Sequence, residues 1–64
     1  MFRRGDKVVV KEGGPGRFAR YAGLRATIED VSAKGRVLEL RWEDGNVHGF
    51  TRDWLGPEHV EHAS

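Results

Sequence analysis

The stretch 24-LRATIEDVSAKGRVLELRWEDGN-46 decides the fold. In its first part, Leu24, Ala26 and Ile28 alternate with Arg25, Thr27 and Glu29, the two-residue period of a half-buried strand. Val31 breaks that parity, which predicts a bulge or the end of the strand. The turn 32-SAKG-35 leads into 36-RVLELRW-42, where Leu38, Leu40 and Trp42 share one face and Val37, Glu39 and Arg41 the other. In 43-EDGN-46, the Asp-Gly pair accepts the positive φ angles of a tight hairpin. The chain is therefore expected to return as a strand over 47-VHGFT-51, with Gly49 marking a bend.

Working outward, 6-DKVVVK-11 is β-branched and bounded by glycines, and reads as a first strand. The segment 13-GGPGRFARYAG-23 is then a long first loop. Beyond the hairpin, 52-RDWLGP-57 reads as one helical or 3₁₀ turn stopped by Gly-Pro, and 58-EHVEH-62 adds a short last strand through Val60. No segment sustains a helical period, and nothing repeats.

The 64 residues fit one domain, 1–64. Five short strands cannot fill two sheets, so the expected architecture is all-β, one bent five-stranded sheet closed on itself. Its core should comprise Val8, Val10, Leu24, Ala26, Ile28, Leu38, Leu40, Val47, Leu55 and Val60. Strand, long loop, three-strand meander, 3₁₀ turn and last strand is the order of an SH3-like barrel.

Cysteine is absent, which excludes disulfides and thiolate chemistry. No apolar run is long enough for a signal peptide or membrane span, so a soluble, cytoplasmic protein without a membrane partner is expected. Net charge is only +1, but residues 1–25 hold seven basic groups against Asp6 and Glu12, whereas residues 26–64 hold four against eight acidic ones. That asymmetry predicts an oriented partner unless folding mixes the two halves.

The pattern resembles the KOW and Tudor branch of SH3-like barrels. Gly5, Asp6, Val8, Gly23, Ala26 and Ile28 hold the places of the KOW signature, and Trp42-Glu43-Asp44-Gly45 is similar to the aromatic before an acidic-Gly hairpin in Tudor modules. The resemblance implies a binding module: KOW modules work with RNA, ribosomes and RNA polymerase, and Tudor modules with peptides or nucleic acid. The opening 3-RRGDKV-8 is also similar to that of a protein-docking barrel subunit of photosystem I. An enzyme on this fold, the type II dihydrofolate reductase, carries a Val-Gln-Ile-Tyr motif, whereas the comparable place here reads Val47-His48-Gly49-Phe50.

No catalytic constellation emerges. The first loop lacks the Gly-Lys-Ser/Thr ending and following helix of a nucleotide-binding loop. Glu29-Asp30 and Glu43-Asp44 are chain neighbours whose side chains diverge, and His59 and His62, three apart on a strand, cannot clamp one metal. No enzyme activity, metal or cofactor is expected.

Binding is read instead from Arg17, Phe18, Arg20, Tyr21, Arg25, Arg41, Trp42 and Trp54. Arginine forks suit phosphate and carboxylate alike, and exposed rings can stack bases or seat a peptide. The first reading is nucleic-acid association through the basic-aromatic loop. The alternative is protein docking through that loop and a Trp42/Trp54 groove. Against any such groove stands the structural reading in which Phe50 or Trp54 plugs the barrel. Pairing of exposed edge strands is a third reading, and the oligomeric state is left open. A continuous positive face containing rings favours nucleic acid; arginines already paired with Glu29, Glu39 or Glu43 favour docking or a purely structural role.

Overall fold

A computed structural model of the chain describes residues 1–12 and 19–63. Five strands, β1 (Lys7–Val10), β2 (Arg25–Val31), β3 (Leu38–Trp42), β4 (Arg52–Leu55) and β5 (Val60–His62), form one antiparallel sheet in the order β4-β3-β2-β1-β5. A 3₁₀ turn, Pro57–His59, precedes β5. Among the described residues no helix is long and apolar enough to cross a membrane.

Alternation builds the core. Val8, Val10, Ala26, Ile28, Leu38, Leu40, Trp42, Leu55 and Val60 are all buried, with Leu24 and Val47 packed against them. The register places Val8 beside Ala26, Ile28 beside Leu40 and Leu38 beside Leu55, so one face of the sheet is continuous hydrocarbon. The parity break before Val31 is a bulge: the β2–β3 register shifts between Ile28 and Asp30. Both Glu29 and Asp30 therefore lie off the core face, while Val31 rejoins it against Leu38. Ser32 closes the β2–β3 hairpin, its Oγ accepting the amides of Arg36 and Val37, each at 3.1 Å.

The return from β3 differs from the sequence expectation. Residues 47–51 make only one bridge, Val47 to Phe50, whose amides and carbonyls exchange bonds of 2.8 and 3.0 Å. His48 (φ 52°) and Gly49 (φ 85°) occupy the centre of this tight turn, the positive φ pair that a two-residue hairpin requires. Asp-Gly does turn the chain, with Gly45 at φ 96°, but as the near side of a wider excursion closed by Trp42 N–H to Thr51 O at 3.0 Å. The real fourth strand is Arg52–Leu55, which was expected to be helical. Its single buried residue, Leu55, gives too short a pattern to advertise a strand. Gly-Pro starts the 3₁₀ turn rather than stopping one, because proline's missing N–H is harmless in a first turn.

Candidate docking face

Pleating sends alternate residues away from the core, and the registers assemble them into rows across the sheet. Lys7 faces Thr27, Thr27 faces Arg41 and Arg41 faces Arg52, giving a row of three cations across four strands. One pleat further along, Asp30 faces Glu39 and Glu39 faces Trp54, with Glu29 beside them at the bulge. Adjacent rows lie about 7 Å apart, because side chains on one face recur every second residue.

The rows are tied together. Glu29 Oε1 is 3.6 Å from Arg41 Nε and 3.8 Å from Arg52 Nη2, and Arg52 Nη1 donates to Glu39 Oε2 at 3.2 Å. Arg25 Nε is 3.8 Å from Glu43 Oε2 at the far side of the face. Such exposed pairs add little stability, but they neutralise the field that a polyanion would feel. Arg25, from the basic part of the chain, meets Glu43 from the acidic part, so folding mixes the two halves.

The two tryptophans part company here. Trp54 stands on the outer face, 59 % exposed, beside a small cleft of about 160 Å³ shared with Val37, Glu39, Asp30 and Ser32. Trp42 is 3 % exposed and belongs to the core, where its indole N–H is enclosed without a hydrogen-bond partner among the described residues. Trp42 is therefore not a stacking surface, and no Trp42/Trp54 groove forms, because the two rings lie on opposite faces of the sheet. The expected plug is reversed as well: Phe50 is 65 % exposed at the hairpin tip, and the ring that fills the core is Trp42.

Tyr21 is half-buried, its ring 5.6 Å from that of Trp42 and 5.8 Å edge-on from that of His48. It packs against the core cluster. Arg20 is exposed beside it. The candidates Arg17 and Phe18 lie outside the described residues. Of the proposed site, then, the structure brings Arg41 together with Trp54's face and leaves Arg25 at its margin.

One cluster escaped the sequence reading. Phe2 stacks on His62 with centroids 4.5 Å apart, and His62 Nε2 lies 3.1 Å from Asp6 Oδ2. Asp6 also accepts the Arg3 amide at 2.9 Å, and that hydrogen bond, followed by the one from His62, holds its carboxyl below the ordinary range. The contact spans 56 positions of sequence, and no local pattern announces it. Among the described residues no three His, Cys, Asp or Glu side chains come together as a metal set.

Comparison of the chain with family models, curated proteins and solved structures returned no match.

Proposed function

We propose that this chain is a non-catalytic protein-docking module, an SH3-like barrel of the KOW/Tudor kind, whose contact surface is the outer face around Trp54. The element order supports the barrel reading, with a 3₁₀ turn leading into a last strand that pairs with the first. The observation that carries docking is the pairing of Arg25, Arg41 and Arg52 with Glu43, Glu29 and Glu39 around an exposed tryptophan. Four cations (Lys7, Arg25, Arg41 and Arg52) and four carboxylates (Glu29, Asp30, Glu39 and Glu43) balance on this face, a poor surface for phosphates and a good one for a protein with complementary charges. Tryptophan is also the side chain that most often anchors protein interfaces.

Titration with single-stranded and duplex RNA and DNA at low salt tests this choice. No saturable binding is expected. Tight binding that weakens steeply with salt would establish the nucleic-acid reading instead, through the exposed Lys11 and Arg20 at the first loop. On the docking side, Trp54→Ala is expected to abolish capture of a protein partner while the fold stays intact; unchanged capture refutes this face as the contact surface.

A further inference from the structure

We propose that the partner seated on the outer face is a second copy of this chain, in a two-fold, face-to-face dimer. This rests on the docking reading and names its occupant. The face carries a cationic row, Thr27–Arg41–Arg52, beside an acidic and aromatic row, Glu29/Asp30–Glu39–Trp54, in the same strand columns. A two-fold axis lying between the rows and parallel to them exchanges one row for the other. Arg41 of each copy then meets Glu39 of the other, and Arg52 meets the Trp54 ring, so each contact occurs twice. The partner this face requires must present cations opposite its carboxylates at the same spacing of about 7 Å, and the face itself has that pattern.

Two further features fit a second copy. A net charge of +1 leaves little long-range repulsion between copies. The edge of β4 is blunted against strand pairing, because Asp53 Oδ1 accepts the Trp54 amide at 2.9 Å. Strand pairing through the β4 edge is therefore disfavoured beside the face that Trp54 presents. A specific dimer needs about 500 Å² from each copy, a modest share of a surface of 4457 Å².

Sedimentation velocity from micromolar to millimolar chain, at low salt, tests the proposal. The unmodified chain should dimerise reversibly. Trp54→Ala, Glu39→Arg and Arg41→Glu should each raise the dimer Kd about tenfold or more, with circular dichroism showing that each variant remains folded. An equimolar mixture of Glu39→Arg and Arg41→Glu chains should restore dimers, because one face is then wholly cationic in its central column and the other wholly acidic. A chain that stays monomeric throughout, a dimer indifferent to all three substitutions, or a mixture that fails to reassociate each overturns the proposal. If the chain is monomeric but Trp54→Ala still loses capture of a different protein, only the self-docking inference falls. If the chain is monomeric and binds nucleic acid instead, both fall.

Discussion

Trp42 and Trp54 sit on neighbouring strands, and the pleat turns one into the core and the other out of it. Truncating them should therefore have opposite consequences. Trp42→Ala removes the largest core side chain and is expected to cost about 3–5 kcal/mol, enough to unfold most of so small a domain. Trp42→Phe gives up volume but no hydrogen bond to any described residue, since the indole N–H has no partner among them, and is expected to cost about 1–2 kcal/mol. Trp54→Ala should stay within about 0.5 kcal/mol, as exposed substitutions usually do. Urea denaturation of the three variants checks all of this. Asp6 supplies the pH dependence. Its folded pKa is lowered by the Arg3 amide and by His62, so its contribution is fully present above the ordinary carboxylate value and is lost as pH falls through the lowered one. The stability advantage of the native chain over Asp6→Asn should therefore shrink on acidification below that range, as followed by thermal melts. The parity of Leu38, Leu40 and Trp42 was legible in the sequence; the burial of Trp42 was not, because its size argued against full enclosure. Period outranked size.

At the scale of elements, the β3–β4 connection is where local signals competed. Asp44-Gly45 is the stronger hairpin dipeptide, yet the tight turn forms at His48-Gly49, where a non-glycine residue holds φ 52°. His48→Asn would place Asn-Gly, the preferred pair, in that turn and is expected to stabilise the domain by about 0.5–1 kcal/mol in chemical denaturation. A loss of stability would show that the edge-on contact with Tyr21 outweighs the relief of strain. The strands β1, β2 and β3 were legible because each carries two or more apolar residues in phase with the sheet, β5 was legible from Val60 beyond the Gly-Pro break, and the bulge in β2 was legible from Val31. Strand β4 was not. Its four residues hold one buried side chain, and its pairing depends on how wide a loop precedes it. The turn residues showed that the chain reverses, and not where the next strand resumes.

Across the whole molecule, the long-range pairing of β1 with β5 completes the sheet by joining residues near the two ends, Val8 beside His62 and Val10 beside Val60. Removing residues 60–64 strips β1 of that neighbour and uncovers Val8 and Val10. The shortened chain is expected to lose cooperative unfolding and amide dispersion in NMR spectra; retention of both would show that β5 is dispensable. The same pairing stacks Phe2 on His62, while the β2–β3 pairing brings Arg25 of the basic part to Glu43 of the acidic part, so that the charge asymmetry along the chain is offset where its strands meet. The sequence by itself determined the all-β character, the aliphatic side chains that enter the core and the reversals between strands, because a two-residue period and turn chemistry are local properties. Only the tertiary structure decided which arginine meets which glutamate and which tryptophan faces outward with them. Those depend on strand register, and register is set by the bulge after Ile28 and by the width of the Glu43–Thr51 excursion, neither of which a pattern along the chain can measure.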